Sequence, residues 1–227
     1  MAVDLAAPVP GSRALGRVGR VAVPVRVALG TIVALSAALR GVAALAHGLA
    51  IAIMVSALGH ISGGHFNPAI TFGLWVTRKI ETSGAVVYWI AQLAGAVAAA
   101  LLIKWLYPGN SVSRGVPSVH LVTSGEAMVI EAILTFFLVW VVIATAVDPR
   151  GSFSSIAGLA IGLTITMDIF AGGRLTGAAM NPARAFGPQL VAWDWTNAWV
   201  WYVGPLLGGL VAAVAYDWLY LRQPARA

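Results

Sequence analysis

The chain contains Asn-Pro-Ala twice, as Asn67-Pro68-Ala69 within SGGHFNPAIT and, 114 positions later, as Asn181-Pro182-Ala183 within TGAAMNPARA. Proline suits the first helical position because it has no N–H to leave unpaired and its φ is preset, and an asparagine just before it caps the helix. Each tripeptide therefore reads as a helix start. The apolar pieces they open, 67–76 and 181–192, have about 10–12 residues each, too few to cross a bilayer, and read as re-entrant segments. Two inverted half-helices meeting at mid-membrane face each other with their positive ends and with two amide side chains. A water between them must turn its oxygen toward both donors, which breaks a proton-conducting hydrogen-bond chain, and the dipoles repel cations. The chemistry implied is passage of neutral molecules with no bond made or broken.

The rest of the chain is composed for a bilayer. Of 227 residues, 59% are hydrophobic and 10% charged, against roughly 25% charged in soluble domains, and the mean hydropathy is +0.87. Six apolar runs have spanning length, at 21–39, 41–58, 84–107, 127–147, 154–171 and 197–220. The 14 basic residues lie scattered at span ends rather than in a stripe interleaved with aromatics, so the +6 charge reports topology and not nucleic acid. Nine of them fall on the side of the termini and five on the other, which puts both termini in the cytoplasm of a multi-pass protein of the cell membrane. With no cysteine there is no disulfide framework or thiolate metal site, and neither a metal nor a cofactor is expected. The nine tryptophans read as interface anchors and packing.

The chain is duplicated. An offset of 114 pairs Tyr88 with Tyr202 and LAGAVAA at 93–99 with LGGLVAA at 207–213, and an offset of 110 pairs GLAI at 48–51 with GLAI at 158–161. Three spans per half is an odd number, so the copies enter from opposite sides and form an inverted repeat. The expected architecture is an all-α membrane protein of six transmembrane helices and two re-entrant half-helices. It is one domain: a cytoplasmic tail at 1–20, a first repeat at 21–107 and a second at 125–220.

GHISGGHFNPA together with TGAAMNPARAFGP resembles the aquaporin, or major intrinsic protein, family, from about Val42 to the end of the chain. The resemblance implies a homotetramer with one pore per subunit, open to water and small neutral solutes within the lipid bilayer. It also implies a second constriction at fixed distances from the tripeptides: His47, 20 before Asn67; Ile169, 12 before Asn181; and Ala178 and Arg184, three to either side of Asn181. Arg184 supplies a fixed positive charge and several donors. The His47/Ile169 pairing resembles plant vacuolar-membrane and animal ammonia-permeable members, so the expected solutes are water and ammonia, with urea and hydrogen peroxide in reserve. Ala185 and Trp201-Tyr202 differ from the pattern of glycerol-conducting relatives and favour the water branch.

Glu131 lies inside the fourth span, where an unpaired carboxylate is costly, so it needs donors; by resemblance it holds the backbone of the second re-entrant loop. His60 and His65 are expected to brace the first loop, and Asp168 to hydrogen-bond to loop donors. The start of the chain departs from the family. The partner of Glu131 is missing, since residues 1–40 contain only Asp4 as an acid, and Pro24 and Arg26 leave 13 uncharged residues from Val27 to Leu39. The first span is thus marginal, which points to a rearranged N-terminus or a reading-frame error in the source gene. Two rival readings remain at this stage, a secondary transporter and a structural membrane tetramer with a closed pore. An enzyme is disfavoured because no nucleophile, base and acid converge outside the pore motifs.

Overall fold

The structure is a computed structural model and describes residues 40–107, 109, 111–151 and 154–222. The expected first span, 21–39, and the tail before it lie outside the described residues. Within them the chain is all-helical: α1 Arg40–Ser62, α2 Pro68–Val76, α3 Thr82–Leu106, α4 Ser124–Val142, α5 Ala157–Thr176, α6 Pro182–Ala192 and α7 Val200–Tyr216. Five of these, some with a following turn, are long and apolar enough to cross a membrane: Val42–Ser62, Thr82–Leu106, Ser124–Val147, Ala157–Thr176 and Val200–Leu221. The half-helices α2 and α6 have 9 and 11 residues, or about 14 and 17 Å at 1.5 Å per residue, half the thickness of the hydrocarbon core.

Several boundaries differ from the sequence reading for local reasons. α1 continues to Ser62 and stops where Gly63 and Gly64 take φ of 84° and 65°, a region open to glycine at no steric cost. α5 runs through Gly172-Gly173, where the reading stopped, because Gly172 makes room for Leu134 of α4; it ends at Gly177, left-handed with φ 81°. α4 starts at a capping box of Thr123 and Glu126. Both α4 and α7 end in a π-helical turn, Ile143–Val147 and Asp217–Leu221, which the apolar pattern does not announce.

The two halves are woven together. The half-helix of each half packs on a long helix of the other: α2 against α7, and α6 against α3. The contact residue is a glycine in both cases, Gly73 and Gly187, 114 positions apart. Gly73 faces the Gly209 carbonyl and Ala213 on α7, while Gly187 sits on the Ala96 carbonyl of α3. Without a hydrophobic driving force between helices in lipid, such backbone-to-backbone approach is what supplies the packing energy. The long helices also pair, α1 with α5 and α4 with α7.

Candidate pore and its two loops

Residues 63–67 and 177–181 lead into the two half-helices, and their asparagines do the same work. The Asn67 side chain accepts from Ala69 N at 2.8 Å, and Asn181 accepts from Ala183 N at 3.0 Å and Arg184 N at 3.2 Å. Pro68 and Pro182 follow at the first helical position. Each amide nitrogen then crosses to the other loop: Asn67 Nδ2 donates to the Met180 carbonyl at 2.7 Å, and Asn181 Nδ2 donates to the Phe66 carbonyl at 2.9 Å. Donors and acceptors are both related by the 114-residue offset. A side-chain amide has two N–H donors, so each asparagine spends one on holding the loops together and has one for a molecule in the pore.

The loops are braced differently. Behind the second, the buried Glu131 carboxylate accepts from Thr176 Oγ1 at 2.7 Å, Ala179 N at 2.9 Å and Met180 N at 2.7 Å. Ala178 and Met180, between those donors, hold φ of 42° and 51°, left-handed conformations that cost a non-glycine residue energy and persist only where the surroundings fix them. Trp201 Nε1 adds a bond to the Thr176 carbonyl at 2.9 Å. Behind the first loop the brace comes from α3: Gln92 Nε2 donates to the His65 carbonyl at 2.9 Å and to Thr71 Oγ1 at 3.0 Å, and Trp89 Nε1 to the Pro68 carbonyl at 3.3 Å. The sequence reading passed over Gln92, Trp89 and Trp201. An uncharged but strongly polar Gln92 inside the span 84–107 is the signal that could have found the first.

A cavity of ≈ 1370 Å³ extends from a mouth bounded by Arg78, Lys79, Glu81 and Asp148 inward to Asn67, Asn181 and His47. Ile169, Ala178 and Arg184 do not line it. Ala178 is buried in the core beside Met180, Ile169 packs against the same core, and Arg184 donates from Nη1 to the Gly115 carbonyl at 2.6 Å. Of the four expected constriction residues, then, His47 lies on the cavity wall and the other three lie beyond its end.

Three expectations need correction. His60 does not brace the loop: it sits in the last turn of α1, exposed on the cavity wall, with no hydrogen bond among the described residues. His65 acts through its carbonyl and by stacking on Tyr88 with ring centroids 4.5 Å apart, while its Nδ1 has no partner. Asp168 makes no bond to loop donors, because Glu131 already takes them.

At the mouth, Asp148 closes α4. It accepts from Arg150 Nε at 2.9 Å and Nη2 at 2.7 Å, and from the Tyr216 hydroxyl at 3.0 Å. The Arg150 bonds outweigh partial burial and hold the Asp148 carboxyl down at about 2. Lys79, after α2, pairs at 3.0 Å with the buried Asp217 of α7, which also receives Arg222. The mouth is thereby tied to both halves.

Two capped half-helices that exchange amide bonds at the head of a cavity, carried by membrane-crossing helices in duplicate, define a membrane channel built as an inverted repeat. Comparison with known proteins agrees. The family model for the major intrinsic proteins matches residues 19–216. A probable aquaporin TIP3-2 of Oryza sativa subsp. japonica is 48% identical over 183 residues, covering 81% of this chain and 69% of its own. Aquaporin TIP1-2 of Musa acuminata is 47% identical over 182 residues, covering 80% and 72%. The X-ray structure of the aquaglyceroporin from Plasmodium falciparum superposes with a TM-score of 0.77 at 27% identity, covering 88% of this chain and 96% of that one. The chain belongs to the major intrinsic protein family and is a passive channel for water, not an enzyme.

Proposed function

We propose that the pore passes ammonia along with water, with urea and hydrogen peroxide as further solutes, and excludes protons and ions at the Asn67–Asn181 pair. The observation that carries this reading is the position of His47 on the cavity wall past the two asparagines, combined with apolar Ile169 and Ala178 at the other constriction positions. Two small or aliphatic residues remove polar bulk and leave a ring suited to neutral solutes, while Arg184 keeps cations out. The Gly115 carbonyl fixes that guanidinium from one side.

The functional unit on this reading is a homotetramer with a pore in each subunit, set in the cell membrane with both termini cytoplasmic. The mouth ringed by Arg78, Lys79 and Arg150 would then face the cytoplasm, in line with the distribution of basic residues. Stopped-flow measurements on proteoliposomes test the solute claim. Ammonia entry should exceed that of empty vesicles, and His47→Phe with Ile169→His should suppress it while sparing water. Ammonia entry equal to that of empty vesicles, with water flux intact, would remove ammonia and leave the water channel standing.

A further inference from the structure

Asp168 lies on α5, fully buried, one residue before Ile169. Neither of its carboxylate oxygens meets a donor. The hydroxyls around it are spent elsewhere: Thr164 on the Ala160 carbonyl, Thr166 on the carbonyls of Ala44 and Gly162, Thr135 on the carbonyl of Glu131. An ionised carboxylate without donors in a membrane interior costs several kcal/mol or more.

The groups packed around α5 decide where charge resides. α1 meets α5 through Ala44, Gly48, Ala52 and Ser56, none of them titratable, and its His47 lies on the cavity wall. α4 contributes Glu131, whose carboxylate acts on Asp168 through space, and Arg184 beyond it acts on Glu131. Two carboxylates that sense each other in a low dielectric do not both ionise. Their surroundings separate the roles: Glu131 has three donors and Asp168 has none.

We propose that Asp168 is a proton-binding site behind the second loop, neutral while the channel conducts, whose ionisation in alkaline solution loosens the Glu131 brace and slows water flux. On losing its proton to water, Asp168 carries a charge that repels Glu131 and competes for the donors Thr176, Ala179 and Met180. Those residues hold the loop whose Met180 carbonyl takes the amide of Asn67. The loss of one proton is thus felt at the centre of the pore. The proposal concerns water flux itself and holds whichever solute accompanies water.

Two measurements on the purified full chain in proteoliposomes test it. Infrared difference spectra should show the carbonyl stretch of a protonated carboxylic acid in the wild type at neutral pH, fading on alkaline titration and absent in Asp168→Asn. Osmotic water permeability of the wild type should fall to roughly half or less between about pH 6 and about pH 9.5, while Asp168→Asn, which keeps the shape of the neutral acid, stays flat at the neutral-pH value. A wild type with no such band, a flat wild-type profile, or an equal fall in Asp168→Asn would each overturn the proposal. The infrared arm on the wild type alone decides the protonation state even if the variant fails to fold.

Discussion

The two pore loops share one backbone design and two kinds of support. Each has a capping asparagine, a proline at the first helical position, a glycine where the half-helix meets the opposite half, and an amide donated to the carbonyl before the other asparagine. The second loop is held by a buried carboxylate that takes three donors; the first is held by a neutral glutamine with two acceptors. The loop that carries strained backbone at Ala178 and Met180 and the fixed charge of Arg184 has the stronger brace. Duplication supplies the symmetric barrier, and the unequal supports let one copy bear more strain.

Removing the braces should expose that inequality most clearly. Glu131→Ala leaves Thr176 Oγ1 and the Ala179 and Met180 amides without an acceptor and should cost about 3–5 kcal/mol of stability. Gln92→Ala should cost roughly 2 kcal/mol. Thermal unfolding in detergent ranks the two, and equal losses would erase the distinction.

The glycine contacts provide the next test. A Cβ at Gly187 runs into the Ala96 backbone carbonyl, whereas one at Gly73 meets the Ala213 methyl at 3.0 Å and the Gly209 carbonyl at 3.1 Å. Gly187→Ala should therefore destabilise by about 2–3 kcal/mol and Gly73→Ala by about 1. Expression of folded protein, read by size-exclusion profile, should fall in the same order.

The asparagines should behave alike. Asn67→Ala and Asn181→Ala each remove one cap and one cross-loop bond, about 1–2 kcal/mol apiece. Because each anchors the other loop, the double substitution should cost less than the sum of the singles, a coupling that a double-mutant cycle in the unfolding midpoint would detect.

The smallest effect belongs to the mouth. The Asp148 carboxyl sits at about 2 in the folded chain, below the usual value of about 3.9. A lowered folded value means its contribution is complete above about pH 4 and is lost as pH falls toward about 2. The guanidinium of Arg150 is 58% exposed, so the contribution should stay under about 1 kcal/mol. Asp148→Asn should remove this part of the acid sensitivity and little else.

Much of this organisation was legible in the sequence. The offset of 114 located both half-helices, and the Asn-Pro pair fixed their first residues, because capping is a local interaction that sequence neighbours settle. The need of Glu131 for donors followed from its place inside a span. What escaped depended on contacts between distant segments. Gln92 and Trp201 act on loops 20 or more residues away, and Gly172 continues a helix only because Leu134 needs its space. Asp168 was given donors that the structure shows already taken. His60 was given a bracing role from its closeness in sequence to the loop, but the direction of the last turn of α1 leaves it on the cavity wall.

The central claim is that the crossed pair Asn67 and Asn181 forms the narrow point of a passive water pore. Stopped-flow osmotic shrinkage of proteoliposomes tests it most directly. The wild type should shrink much faster than empty vesicles with a weak temperature dependence, and the double Asn67→Ala, Asn181→Ala variant should lose that excess or admit protons. Shrinkage no faster than that of empty vesicles, or a temperature dependence as steep as theirs, would contradict the claim.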